Sequence, residues 1–441
     1  MDNGSCVECG GNDAALAGYS PSRASGAAPS TGRAEEGELP EGWRSTPFTE
    51  TLCPEKPRVT KVQQSNYRKS GRFPIIDQGQ TFIAGYWDSE NDVFREHLPV
   101  IVFGDHTRVF KFVDFPFVAG ADGTHVLVPD TRRFDPFFLY LALSSLDIAS
   151  RGYNRHFRLL RDRSVVTPSL PEQRAIAGVL RTVQGAKEAC EQVLAAARQL
   201  KQSLLHHLIT YGPVPSADAA HVPLRETEIG EIPQHWGCAA LGDVLTLVYR
   251  YPTYYNIQYV ADGVPEIRGE LLHENGEIEP NMGVFRFISQ ETANRFPRTC
   301  MDEGDIVMSV RGTMGKIGIV PTQLAGAQMT ANLIRLAPDR EKIHPDFLRR
   351  ALLSPRFLHR LNELSPQTTI KTIQAPVLRT IPIPLPPLPE QREIAAQLAA
   401  VDAKLAALEA RRAALAALFQ SLLHHLITGK VRLPEFAKDH S

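Results

Sequence analysis

The string in this chain closest to a methyl-transfer site is Asp135-Pro136-Phe137-Phe138. An N6-adenine methyltransferase needs an (Asn/Asp)-Pro-Pro-(Tyr/Phe) loop, and here the second proline is missing. Asp-Pro ahead of an apolar run is ordinary helix capping. Gly312-Thr313-Met314-Gly315-Lys316-Ile317 has glycines and a lysine. It lacks the G-x-x-x-x-G-K-[ST] spacing that cradles phosphates, and no hydroxyl follows the lysine. Pro338-Asp339-Arg340-Glu341-Lys342 lacks the spacing of a nuclease motif and reads as Pro-Asp before a helix. Cys6 and Cys9 form a CxxC, but zinc needs four ligands and no second pair lies nearby. The pairs His206-His207 and His424-His425 invite a metal. They close two helices expected to run antiparallel, so they sit at opposite ends, and solvated helix ends or partner contacts are the preferred reading. No catalytic residue and no metal site is expected.

What remains is chemistry that could hold a polyanion. Arg151, Arg155, Arg158, Arg161 and Arg163 crowd one stretch, interleaved by Tyr153, His156 and Phe157, with only Asp162 opposing. Arg349, Arg350, Arg356, His359, Arg360 and Lys371 form a looser second set. Arginine neutralises phosphate and reads guanine bidentately; the alternative is a solvated basic face. Polar residues expected on turns are further candidates for base contacts: Gln78, Gln80, Asp105 and His106 in the first half, and Arg311, Lys316, Gln328, Thr330 and Asn332 in the second.

These residues need a scaffold, and the chain of 441 residues is long enough for two or three domains. Its formal net charge of -1 announces no nucleic-acid partner, so DNA contacts would have to come from local clusters. Six cysteines without a disulfide framework point to a reducing cytoplasm. No membrane span or signal peptide is visible. Residues 1–37, rich in Gly, Ala, Ser and Pro, read as a disordered tail.

The strongest organising signal is a repeat. Leu170-Pro171-Glu172-Gln173-Arg174 recurs as Leu388-Pro389-Glu390-Gln391-Arg392. At the same offset, Gln202-Ser203-Leu204-Leu205-His206-His207-Leu208-Ile209-Thr210 recurs as Gln420-Ser421-Leu422-Leu423-His424-His425-Leu426-Ile427-Thr428. Upstream, Glu38-Leu39-Pro40 with Trp43 echoes Glu231-Ile232-Pro233 with Trp236 at a shorter offset, so the second copy carries insertions. The chain is two copies of one plan, a variable domain followed by a near-invariant helix.

Each repeated segment reads as a helix about 60 Å long at ~1.5 Å per residue. In the second, Ile394, Leu398, Val401, Leu405, Leu408, Leu415, Phe419, Leu422 and Leu426 trace a heptad seam broken at Arg412. In the first, Ile176, Leu180, Val183, Leu194, Leu204 and Leu208 carry the seam, with Lys187 and Lys201 interrupting it. Pro171 and Pro389 suit the first turn, Ser169 with Glu172 suggests a capping box, and Gly212 and Gly429 are stop signals. Such stripes cannot be buried alone, and the economical solution is that the two helices pair antiparallel; packing of each helix on its own domain is the alternative. The domains are expected to be α+β with irregular sheets. Strands are expected at 73–76, 99–103, 125–128, 305–310 and 317–320, and helices at 135–150 and 346–364.

Two variable domains separated by near-identical long helices resemble the specificity subunits of type I restriction–modification systems. Leu-Pro-Glu-Gln-Arg opening each helix, and Leu422 to Lys430 closing the second, resemble that family's conserved regions. Pro74-Ile75-Ile76-Asp77-Gln78-Gly79-Gln80, Phe103-Gly104-Asp105-His106-Thr107, and Gly304-Asp305-Ile306-Val307 with Arg311 to Lys316 resemble its target-recognition domains. The resemblance covers about residues 38–433; the long N-terminal tail and the His-His pairs depart from the pattern. It divides the chain into a tail (1–37), a first recognition domain (38–168), a spacer helix (169–212), a linker with the second recognition domain (213–385), a second spacer helix (386–430) and a short tail (431–441).

The resemblance implies a bipartite double-stranded DNA site, one half read by each domain, with helix length setting the unread base pairs between. It implies docking of two adenine-methyltransferase subunits and of restriction subunits. S-adenosylmethionine, ATP and Mg would serve those partners, and this chain would bind none of them. Two other readings compete: a stand-alone methyltransferase or nuclease, which needs a catalytic motif, and a coiled-coil scaffold, which leaves two large loop-rich domains unexplained.

Overall fold

A computed structural model of the chain describes residues 39–149, 155–250, 257–311, 313–365 and 372–437. The expected tail at 1–37 with Cys6 and Cys9 lies outside these residues, as do Arg151, Tyr153 and Lys371. Contacts divide the chain into two compact units, residues 1–190 with 411–441, and residues 191–410. The division cuts through both long helices, so each unit takes one end of each.

The first unit contains helices α1 (Pro136–Ser144) and α2 (Phe157–Arg161) and the start of α3 (Leu170–Tyr211). Strand Val100–Gly104 is the centre of an antiparallel sheet, between Phe110–Val113 and Thr124–Leu127. Phe117–Gly120 lies parallel to Phe73–Ile76 in a second sheet. Arg44–Pro47 pairs with Ser164–Thr167, the strand that leads into α3.

The second unit repeats this plan. Ile306–Ser309 pairs antiparallel with Ile317–Ile319 and Leu333–Pro338. Val264–Ile267 lies parallel to Gln328–Met329. Gly237–Ala240 pairs with Pro382–Leu385, again the lead-in to a long helix. Its helices are the end of α3, α4 (Gln290–Arg295), α5 (Pro345–Leu352), α6 (Pro355–Glu363), α7 (Ala375–Arg379) and the start of α8 (Leu388–Ile427). The architecture is α+β, two similar domains joined to two long helices.

Two helix expectations are corrected. α1 ends at Ser144 rather than reaching 150, where the Ser144 and Ser145 hydroxyls fold back onto the carbonyls of Tyr140 and Leu141. The helix expected over 346–364 is two helices. Ser354 caps the second by accepting from the amide of Phe357, and Pro355, at its first turn, cannot donate back into the helix before it.

Within the first unit, Ile176 and Leu180 near the start of α3 share a core with Phe419, Leu426 and Ile427 near the end of α8. Within the second, Leu208 and Ile209 near the end of α3 share a core with Ile394 and Leu398 near the start of α8. The helices therefore run antiparallel, and no seam position named above is exposed. Lys201, which breaks the apolar seam, lies 2.6 Å from Asp402.

The repeated Leu-Pro-Glu-Gln-Arg has a physical explanation. In the first unit Glu172 is buried, accepts from the Trp43 indole at 3.2 Å and is gripped by two nitrogens of Arg432 at 2.8 and 2.9 Å. In the second, Glu390 accepts from the Trp236 indole at 2.9 Å and faces His235 at 2.9 Å. These donors take the Glu172 carboxylate that the expected capping box assigned to the helix end.

The glutamines are wholly buried. Gln173 accepts from the amide of Asp135 and donates to the carbonyls of Arg133 and Pro168. Gln391 accepts from the amide of His344 and donates to the carbonyls of Lys342 and Pro386. Each glutamine, itself buried, satisfies three main-chain groups from the interior, which fixes a domain on its helix. The helix-ending glycines meet the same tryptophans. Gly429 has φ +70°, and a Cβ there would lie 2.6 Å from Pro40; Gly212 has φ +83°, and a Cβ there would lie 3.3 Å from Trp236.

Candidate nucleic-acid interface

Three segments converge in each unit: the loop after a parallel strand, the tip of the central hairpin, and the approach to the next strand. In the first unit these are 77–82, 104–109 and 120–124. In the second they are 268–271, 310–311 with 313–316, and 330–333. All the turn-borne candidates except Gln328 fall on these segments.

In the first unit the convergence is closed by hydrogen bonds. The side-chain oxygen of Gln78 accepts from the amide of His106 at 3.2 Å, and its nitrogen donates to the carbonyl of Asp122 at 2.8 Å. The Thr107 hydroxyl donates to the Gln78 carbonyl. Asp105 is buried, accepts from the amide of Phe157 at 2.7 Å and lies 3.5 Å from His125, whose ring stacks on Phe157 at 4.0 Å. Burial pulls the His125 imidazolium down, against the opposing pull of Asp105. Asp105 thus anchors the hairpin to α2, and the expectation that it meets bases from a turn is corrected: its carboxylate is spent inside the unit. Gln80, Arg155 and Arg158 are exposed, and His106 is half-exposed.

Lys111 carries this arrangement from below. It is fully buried, and its ammonium donates to the carbonyls of Asp77 at 2.8 Å, Thr81 at 2.6 Å and Phe82 at 3.4 Å. Burial pulls its pKa down to about 8, with Asp77, 3.7 Å away, opposing. The side chain ties down both ends of the loop that presents Gln78 and Gln80. Nothing in the sequence marked it, since a lysine in Phe110-Lys111-Phe112 reads as the outward position of a strand.

In the second unit the same place is an open cleft of about 360 Å³, lined by Arg268, Glu270, Arg311, Lys316, Thr330 and Asn332. Ser309 shapes the tip beside it, donating to the Thr313 carbonyl at 2.6 Å and accepting from the amide of Lys316 at 2.9 Å. Gly315 completes the turn at φ +84°. Arg311, Lys316, Thr330 and Asn332 are thereby brought together. Gln328 is not among them: it lies in a strand, is buried, and is bonded to the Thr299 hydroxyl and the Ala293 carbonyl, so its placement on a turn is corrected. Arg268 and Glu270 were missed. The available signal was that Arg268 follows Val264-Pro265-Glu266-Ile267 as Asp77 follows Phe73-Pro74-Ile75-Ile76.

The second basic set is also corrected. Arg349 and Arg350 are buried and paired with Asp346, and Arg350 reaches Asp402 at 3.0 Å. Arg356 donates to the Glu231 carbonyl and the Thr210 hydroxyl, and Arg360 pairs with Glu363. These cations hold the unit together.

The lookalike strings have structural duties. Asp135 accepts from the amides of Phe137 and Phe138 as the cap of α1. His207 bonds the Val214 carbonyl, and His425 the Ser421 carbonyl. Among the described residues no three potential metal ligands gather, and no helix is long and apolar enough to cross a membrane.

Comparison with known proteins agrees with this architecture. The family model for the type I restriction modification DNA specificity domain matches residues 233–417. The putative type I restriction enzyme MjaX specificity subunit of Methanocaldococcus jannaschii is 25% identical over 70% of this chain and 71% of its own length. The type I restriction enzyme EcoBI specificity subunit of Escherichia coli is 27% identical over 77% of this chain and 70% of its own. In fold, the crystal structure of a type I restriction–modification S subunit from M. genitalium superposes with a TM-score of 0.57, at 16% identity, covering 87% of this chain and 96% of that one. Residues 233–417 thus match the type I restriction modification DNA specificity domain, and the chain, with its doubled domain plan and paired helices, is similar over most of its length to the specificity subunits of type I restriction–modification systems.

Proposed function

We propose that the chain reads a bipartite double-stranded DNA site, one half with each unit, and docks two adenine-methyltransferase subunits and the restriction subunits. The observation that carries this is the doubling. The same three-segment convergence occurs twice in one chain, each time latched to a long helix by a Glu–Trp bond and a buried glutamine. Two similar recognition surfaces on one chain suit a target with two halves. The candidates for contact are the exposed Gln80, Arg155 and Arg158 with the half-exposed His106 in the first unit, and the exposed Arg311 and Asn332 with the half-exposed Lys316 and Thr330 in the second. S-adenosylmethionine, ATP and Mg belong to the partner subunits in this proposal, and the long helices set the unread spacer.

The test is a map of methylated bases in host DNA with the gene present and deleted. Loss of one bipartite N6-methyladenine motif on deletion is the expected result. A methylation pattern that does not change would overturn the proposal.

A further inference from the structure

The two convergences differ in one respect that bears on how DNA is held. In the first unit the space is occupied. A Cβ added at Gly123 would fall 2.6 Å from the Gln78 side-chain oxygen, and one at Gly104 would fall 2.8 Å from the Gln78 carbonyl. In the second unit the matching loop carries Gly269. A Cβ there would meet nothing nearer than Leu333 at 4.0 Å, and its φ lies outside the left-handed region.

The open cleft is rich in donors. Arg268, Arg311 and Lys316 face one carboxylate, Glu270, which is paired to Arg268 at 2.9 Å. Among the described residues neither Arg311 nor Lys316 has a carboxylate within 4.0 Å. Arg268 also donates to the Val284 carbonyl at 2.9 Å, and its Nε is a buried donor with no hydrogen-bond partner among the described residues. Arg311 and Lys316, with no carboxylate within reach among the described residues, and the Thr313 and Thr330 hydroxyls beside them form a lining suited to an acceptor-rich anion. Guanine can also offer two acceptors, but a base edge is neutral, whereas a phosphodiester brings acceptors together with the full negative charge that the cations here lack.

We infer that the second unit's cleft seats a backbone phosphate of DNA, and that the first unit, where Gln78 fills the same place, seats none. The inference rests on the proposal that the chain binds DNA. In it the cleft sets grip and register, and Arg311 and Lys316 carry no base discrimination.

The test is the salt dependence of duplex binding by the full chain, using DNA with the methylation-mapped site and the same duplex altered in the second half. Lys316→Gln and Gly269→Gln are compared with the natural chain; the second places in the cleft the side chain that closes it in the first unit. The expected result is a several-fold weaker affinity for both duplexes. The slope of log affinity against log salt should fall by about one, the signature of one lost phosphate contact. An unchanged slope, with loss confined to the unaltered duplex, would mean that these residues read bases and would overturn the inference, as would unchanged affinity. Failure of the underlying proposal looks different: the natural chain itself would then show no preference between the two duplexes.

Discussion

Lys201 on one long helix and Asp402 on the other meet at 2.6 Å inside the second unit, at a seam position where the repeat would place an apolar residue. Arg350 reaches the same carboxylate at 3.0 Å, so one aspartate ties α5 and both helices together. Burial would raise the Asp402 pKa, but Lys201 and Arg350 more than offset this and hold it below the usual carboxylate value. Asp402→Asn should therefore cost about 3 kcal/mol at neutral pH, because the half-buried Lys201 and the buried Arg350 lose their shared counter-charge. A depressed carboxylate pKa gives stability that is present above the unfolded value and lost as pH falls through the folded one. The cost should shrink in acid. Denaturant unfolding of the natural chain and the variant at neutral and acidic pH checks both parts.

The buried glutamines predict a contrast within the motif. Gln391→Ala leaves the His344 amide and two carbonyls unsatisfied and should cost about 2–3 kcal/mol. Arg392→Ala, at the next residue but exposed, should change stability by no more than about 0.5 kcal/mol. Thermal unfolding of the two variants side by side separates them; equal losses would contradict the assignment.

Lys111 predicts a rise of stability with pH. Its folded pKa is about 8, while an unfolded lysine titrates near about 10.4. Between those values the unfolded chain binds more protons, so stability rises with pH. Lys111→Met removes this titration. The melting temperature of the natural chain, taken relative to that variant, should climb between pH 8 and about 10. A flat difference would show that the ammonium is not confined as described.

Neighbouring glutamines on the same loop should fail differently. Gln80 is exposed, so Gln80→Ala should weaken recognition of the first half-site and leave the melting temperature alone. Gln78 bonds His106 and Asp122, so Gln78→Ala should lower the melting temperature by an amount equivalent to about 1–2 kcal/mol. Paired melting and half-site binding measurements distinguish the two.

The repeat, the helices and their antiparallel pairing were legible because identity at a constant offset and a heptad stripe need no geometry to be read. The site was legible only in kind. Asp105 and Gln328 have the right chemistry for base contacts, but their hydrogen bonds are already used by Phe157 and by Thr299 with Ala293. Arg349 and Arg350 looked like a phosphate-binding pair until Asp346 and Asp402 supplied the counter-charges. Lys201 looked like a flaw in the seam for the same reason. A sequence displays what a side chain can do; the partner that uses up that capacity can lie anywhere along the chain.

The first unit is assembled from residues 1–190 and 411–441, whereas the second is one unbroken stretch, 191–410. On the ribosome the second can close its core as it emerges, but the first must wait. Until Phe419, Leu426 and Ile427 are made, Trp43, Ile176 and Leu180 lack the apolar surface that buries them, and Glu172 lacks Arg432. Synthesis of residues 411–427 thus decides whether the first unit can be sealed: a chain released before them would carry a finished second core and an open first one, a ready target for chaperones and proteases.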